Sequence, residues 1–185
     1  MKLSHLISWS VILTFNSGHP LPKMSARLDG FESVNGSFTD FTKMRVRRFN
    51  QTHTVLNGTF EVLRNLGETL ESGVICDRSA MRSNLLQRTP FKLPFTPFCD
   101  HMKTRYRYFQ RMYSNYTNMP PVPPEGLCPF PKGSYWIKDL LVNNSMVPRM
   151  IPEGFWRCYL MIRDSTIGLI TDCVQVFFTL TNELH

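Results

Sequence analysis

The chain has 185 residues, of which 42% are hydrophobic and 19% charged, with 21 Lys and Arg against 14 Asp and Glu and a formal net charge of +7. That composition suits one domain with a sizeable core, and no internal repeat or low-complexity region appears. The positive balance favours acidic partners, anionic headgroups or polyanions, but it does not choose a fold.

The N-terminus has the order of a secretory signal. Lys2 gives the basic start, Leu6 to Phe15 the apolar stretch, and Ser17 and Gly18 the small residues of a cleavage end, although Asn16 fits that end poorly. The apolar stretch is too short to span a bilayer, which takes about 20 apolar residues, and no later stretch reaches that length. The competing reading is a buried N-terminal helix. The expected division is a signal over 1–18 and a single domain over 19–185, secreted to the extracellular space.

Phe38 to Phe49 is a semi-alternating stretch that predicts a strand with Met44 and Val46 on one side and Lys43, Arg45 and Arg47 on the other. Thr54 to Leu63 is a second strand. Asn57-Gly58 at its middle is either a hairpin turn or a bulge, and the short flanks favour the bulge. Gly73 to Asp77 is a third. After prolines 90, 94 and 97 comes one amphipathic helix, with Thr96 as N-cap, Pro97 at the first helical position and Asp100 at the positive end of the dipole. Its apolar stripe runs Phe98, Met102, Tyr106, Phe109, Met112 or Tyr113, and Tyr116, with Lys103, Arg107 and Arg111 on another side. Met119 to Gly126 is a proline-stiffened connector. Ser134 to Val142 reads as a strand, and Pro148 and Pro152 flank an exposed crossing. Phe155 to Arg163 and Leu169 to Leu180 form a closing hairpin.

A hairpin centred between Ser165 and Thr166 would oppose Trp156 to Gln175, Tyr159 to Asp172, and Cys158 to Cys173. Opposed Cα atoms lie about 4.5–5.5 Å apart, which a disulfide accepts. The expected bridge is therefore Cys158–Cys173; a register with Gly168 in the turn would separate the two. Cys99–Cys128, tying the helix start to the end of the connector, is the second expected bridge, which leaves Cys76 as the odd one of five. Five sequons, at Asn35, Asn50, Asn57, Asn115 and Asn143, mark candidate glycosylation sites, some of them chance matches. Neither hairpin strand is cleanly polar on its second side. That fits an ordinary sandwich core, the commoner case, or an apolar cavity between sheets.

No sequence pattern for a nucleophile elbow, a zinc protease, a phosphate-binding loop or a dinucleotide fold is present, and the acidic residues are dispersed. No catalytic residue, cofactor or metal site is assigned. Arg105 to Arg111 mixes cations and aromatics as single-strand nucleic-acid binders do, but an amphipathic helix with solvated cations explains it as well, and no nucleic acid is expected.

Leu56 to Leu63, Phe98-Cys99-Asp100 with the aromatic helix, Leu127 to Lys138, and Met150 to Arg157 together resemble, in order and spacing, an insect secreted family of uncharacterised domains that includes the CheB chemosensory proteins. That family is similar to the ML lipid-recognition and ganglioside-activator β-sandwiches. The resemblance runs from about Phe31 to the C-terminus. It implies a mainly β, two-sheet antiparallel β-sandwich, able to hold an acyl chain, with the Cys99–Cys128 bridge and the Pro152, Gly154 and Trp156 signature carried over. The motifs do not fix a ligand set. Strand patterning offers Phe60, Val62, Trp136, Trp156, Leu160, Ile162, Val176 and Phe178. The expected function is a secreted, non-enzymatic carrier of a lipid, hydrocarbon or pheromone in chemosensory perception, with a sensory receptor or a membrane surface as further partner and the oligomeric state open. The alternative is a disulfide-linked interaction module without a ligand.

Overall fold

The computed structural model describes residues 24–80, 85–142, 146 and 151–182; the signal segment, Asn143 and Pro148 lie outside them. Among the described residues nine strands form two antiparallel sheets. The larger has the order β1 (Met24–Gly36), β9 (Leu169–Asn182), β8 (Gly154–Asp164), β5 (Leu70–Ser79), β6 (Gln87–Pro97). In the smaller, β4 (Thr54–Val62) is central. It pairs on one side with β2 (Thr39–Asp40) and β3 (Arg45–Arg48), and on the other with β7 (Gly133–Leu140). The mainly β, two-sheet expectation holds.

Five of the expected strands are present, with β5 longer at both ends than the Gly73–Asp77 core read from sequence. The strand expected over Phe38–Phe49 is instead two, because the chain turns between them with Met44 N–H donating to the Phe41 carbonyl at 2.9 Å. Asn57-Gly58 is a bulge: the register against β7 shifts between Leu56 and Gly58. Gly58 has φ +144°, and a Cβ there would collide with the Lys43 carbonyl, so only glycine fits.

Two strands were not foreseen. β1 carries Gly30, whose missing Cβ makes room for the Phe177 ring, and no strict alternation announces it. β6 contains Pro90, Pro94 and Pro97, and it survives because it is the outer edge of its sheet, where a missing N–H costs no ladder bond. The strand runs through Thr96, which pairs with Ser72, so Thr96 is not a helix cap. Pro97 takes that position, with no side-chain cap bond.

The helix is α1 (Phe98–His101), a π-helical segment (Met102–Tyr106) and α2 (Arg107–Tyr113), followed by a 3-10 turn at Ser114–Tyr116. The wider π turn rotates the second half relative to the first. Phe98, Met102 and Tyr106 face the core, but the next inward residue is Gln110, whose Oε1 accepts the Val122 N–H at 2.9 Å. Phe109 and Tyr116, expected in the stripe, are exposed.

The main core lies at the end of the sandwich nearer the β8–β9 turn. Phe60, Val62 and Tyr135 from the smaller sheet meet Leu70, Phe98, Met102 and Phe130 there, with Phe31, Phe41 and Ile162 packed on. An aromatic chain runs through it, Phe31 to Phe41 (6.0 Å between centroids), Phe41 to Phe60 (4.9 Å), Phe60 to Tyr135 (5.5 Å) and Tyr135 to Phe130 (5.3 Å). Each such pair adds about 0.5–1.5 kcal/mol to the burial of its rings.

The closing hairpin has a different register from the expected one. Gly168, at φ +71°, sits in the turn, and its N–H donates to the Asp164 carbonyl at 2.8 Å. Trp156 consequently faces Phe178, Tyr159 faces Gln175 and Met161 faces Cys173. Cys158 and Cys173 cannot bond. Cys158 bonds Cys76 across the other neighbour, β5, and Cys99 bonds Cys128 as expected. Cys173, not Cys76, is the free thiol.

Candidate functional site

Direct cross-strand partners share a face of a sheet, so the registers define the inner surface of the larger sheet row by row. One row is Leu28, Phe178, Trp156 and Arg78; the next is Phe31, Val176, Cys158 and Cys76; the third is Ser33, Val174, Leu160, Val74 and Leu93. Phe31 and Ile162 on this face pack into the main core, which identifies it as the face turned toward the smaller sheet.

That smaller sheet meets the larger one along β1, through β2, β3 and β4. The start of the helix packs on β5 and β6. Between these two covers one described position of the inner face is exposed. Leu160 belongs to β8, hydrogen-bonded on both sides by β5 and β9, yet it is 43% exposed. Its neighbours two residues away along the strand are covered: Cys158 is 8% exposed and Ile162 packs against the core. The opening is therefore local. Its apolar floor is Leu160, Val74 and Leu93, with the Cys76–Cys158 bridge beside it.

Trp156 forms one wall. It is 1% exposed, stacks on Phe178 at 6.2 Å and 3°, and meets Phe91 edge-on at 5.6 Å. Its indole N–H donates to the Pro152 carbonyl at 3.1 Å, so the buried ring leaves no donor unpaired. Burying such a ring contributes several kcal/mol. The wall is rigid.

Of the eight candidate ligand residues, Trp156, Leu160, Val176 and Phe178 thus share one surface. Phe60, Val62 and Ile162 lie in the closed core, where they hold the sheets together. Trp136 is 39% exposed and pairs with Thr59 on the outward side of the smaller sheet, so it lies away from the opening. The sequence reading missed Val74, Leu93, Phe91 and Arg78. Alternation of Val74, Cys76 and Arg78 within β5 carries the signal for three of the site's positions, and prolines masked the β6 contribution.

The outer face of the larger sheet has another character. Asp77, 5% exposed, takes Arg88 and Arg157 at 3.1 Å each, and both guanidinium groups lie over the Tyr159 ring. Two cations thus flank its buried charge, with Arg157 Nη2 donating to Oδ2. Arg163 pairs with Glu71 and covers Phe95 at 4.3 Å. Cys173 is on this face, partly buried, and burial pushes its thiol above the ordinary range.

A small cleft of about 120 Å³ lies between the end of the helix and the proline-rich connector, lined by Tyr106, Tyr113, Met119 and Pro120 among others. Burial raises the Tyr113 phenol strongly, and its ring meets that of Tyr106 edge-on at 5.6 Å. Among the described residues no three His, Cys, Asp or Glu side chains gather as metal ligands, and no helix is long and apolar enough to cross a membrane.

Of the sequons, Asn50 and Asn115 are exposed, and Asn57 is half-buried with its Nδ2 donating to Asp139 at 2.8 Å. Asn35 is on β1, at the register position of Cys173. No curated protein matches the chain. Residues 75–158, a span from β5 to the middle of β8 that holds all four bonded cysteines, match the model of a family described as a protein of unknown function (DUF1091), so the chain carries a domain of an uncharacterised family.

Proposed function

We propose that this protein is a secreted, non-enzymatic carrier of a hydrophobic small molecule, a lipid, hydrocarbon or pheromone, and that it serves chemosensory perception. The observation that carries the reading is the solvent exposure of Leu160 on the inner face of a central strand. The four-stranded sheet meets the five-stranded one along β1 and leaves Leu160 on the apolar inner surface of β8 exposed, and such a surface gains by accepting an apolar ligand, about 0.8 kcal/mol for each methylene buried. The disulfides suit an oxidising, extracellular compartment, and the sequons suit secretion. The chemosensory role rests on the resemblance to the CheB proteins. The partly buried, raised thiol of Cys173 weighs against the alternative of a covalently linked interaction module, because a thiol held protonated is a poor nucleophile.

Native mass spectrometry of the secreted, deglycosylated protein, followed by organic extraction, tests the carrier. A mass excess that releases a lipid upholds it. An unliganded monomer that also ignores added apolar probes overturns it.

A further inference from the structure

The carrier reading leaves the ligand's polar end unassigned, and one residue of the inner face addresses it. Arg78 ends the row Leu28, Phe178, Trp156, Arg78, so it lies on the same face of β5 as Cys76 and Val74. Four residues along a strand span about 13 Å. Arg78 therefore stands at one end of the apolar floor, beside the Trp156 wall, with Val74 and Leu160 at the other.

Its side chain is fixed. Nε donates to the Glu153 carbonyl at 2.8 Å, and Nη2 donates to the same oxygen. Gly154, at φ +136°, is the floor beneath this contact: a Cβ there would lie 3.1 Å from Arg78 Nε and 2.6 Å from the Ser79 carbonyl. Two of the five guanidinium N–H groups are consumed in this way, and the others, including both on Nη1, are not. No carboxylate pairs with Arg78 among the described residues. Glu153, whose carbonyl accepts these bonds, engages Asn182 through its carboxylate instead, and the adjacent Asp77 points to the opposite face with Arg88 and Arg157. By contrast Arg88, Arg157 and Arg163, the other arginines of this sheet's β5, β6 and β8, each pair with an acid. Among the described residues, Arg78 alone of these four has a positioned guanidinium with no acid partner, on the same face as the exposed Leu160.

From this juxtaposition we infer that the ligand is a single-chain amphiphile with an oxyanion head, a long-chain carboxylate, whose tail lies on Val74, Leu160 and Leu93 and whose head is held by Arg78. A planar guanidinium with free N–H groups matches a carboxylate in shape and charge, and charge-assisted hydrogen bonds of this kind are about twice as strong as neutral ones. A neutral hydrocarbon would leave the group unused. The inference rests on the carrier reading and narrows its ligand class.

The test compares palmitate, 1-hexadecanol and hexadecane, which share a chain and differ at the head, by titration of the full secreted glycoprotein and its Arg78→Gln and Arg78→Lys variants. Wild type should bind palmitate at least tenfold more tightly than hexadecanol. Arg78→Gln should remove that preference while hexadecanol binding persists, which also shows that the variant is folded, and Arg78→Lys should restore part of it. Equal affinity of wild type for the acid and the alcohol overturns the inference and leaves the carrier intact. So does a palmitate preference that survives Arg78→Gln. Failure of wild type to bind any of the three overturns the carrier reading and this inference with it.

Discussion

Cys158 lies directly across from Cys76, with their Cα atoms 4.1 Å apart on the inner face of the larger sheet, while Cys173 faces Met161 on the outer one. The bond joins β5 to β8 across 82 residues of chain. In the chain-entropy model a closure of that length stabilises by about 4 kcal/mol, and the 29-residue Cys99–Cys128 closure by somewhat less. Paired Cys76→Ala and Cys158→Ala substitutions should lower the unfolding free energy by about that amount in denaturant titrations. Non-reducing peptide mapping should recover the two linked pairs, with Cys173 in an unlinked peptide.

The remaining thiol gives a pH prediction with a definite sign. Burial raises the Cys173 thiol above its ordinary value, so the native state holds this proton more tightly than the unfolded chain does. Its contribution is complete below the unfolded thiol's range and is lost as pH rises through the raised native one. Alkylation at mildly alkaline pH should be slow in native protein and should reach the rate of an unstructured thiol once denaturant is added. Equal rates in both states would contradict the placement of Cys173.

Asp139 gives the opposite sign. A hydrogen bond from Arg47 first, then one from Asn57, hold its carboxyl below the usual range, and its φ of +57° is one that aspartate and asparagine tolerate better than most residues. A lowered carboxyl contributes above the unfolded range near 4 and is lost as pH falls through the depressed native value. Asp139→Asn keeps the backbone preference and removes the charge. Its stability relative to wild type should therefore be lower at neutral pH and should converge with wild type at acid pH.

The strands β4, β7 and β8 are legible in the sequence from their aromatic and β-branched content between turn residues, and so is the bulge at Gly58. The hairpin register is not, because it depends on a turn that holds the positive-φ Gly168, beyond the expected centre between Ser165 and Thr166, and this moves the partners of Trp156, Cys158 and Tyr159 by three residues each. β6 was hidden because prolines argue against a strand until its edge position is known. The helix is legible too, but an α period does not carry through the π turn at Met102–Tyr106, so Phe109 and Tyr116 fall outside the core. As for the site, Trp156, Leu160, Val176 and Phe178 followed from periodicity within one hairpin. Val74, Leu93 and Arg78 come from strands whose placement beside it no local pattern encodes.

Among the sequons, geometry separates Asn50 from Asn57. Asn50 is exposed, and its Oδ1 accepts the Thr52 and His53 N–H groups at 2.9 and 2.8 Å, which leaves Nδ2 outward at a hairpin turn. Asn57 commits its Nδ2 to Asp139 within a sheet. Glycopeptide mapping of the secreted protein should find Asn50 occupied and Asn57 largely bare. If Asn57 proves fully occupied, its Asp139 contact does not form as described.

Leu160 and Ile162 are neighbours on one face of β8, similar in size and chemistry, and they should respond in opposite ways to substitution. Ile162 packs against the closed core, so Ile162→Ala should cost about 2–4 kcal/mol of stability and leave ligand binding to the folded fraction nearly unchanged. Leu160 is already 43% exposed, so Leu160→Gln removes little packing and should change stability by no more than about 0.5 kcal/mol. The same change puts an amide in the floor of the open surface, and an apolar chain laid there would strip water from it without returning a hydrogen bond, at a cost of about 1–3 kcal/mol. Affinity for an apolar probe should then fall by about tenfold or more while the unfolding curve barely moves. If Leu160→Gln instead destabilises the fold as much as Ile162→Ala and binding is unaffected, the exposure of Leu160 does not mark a ligand surface.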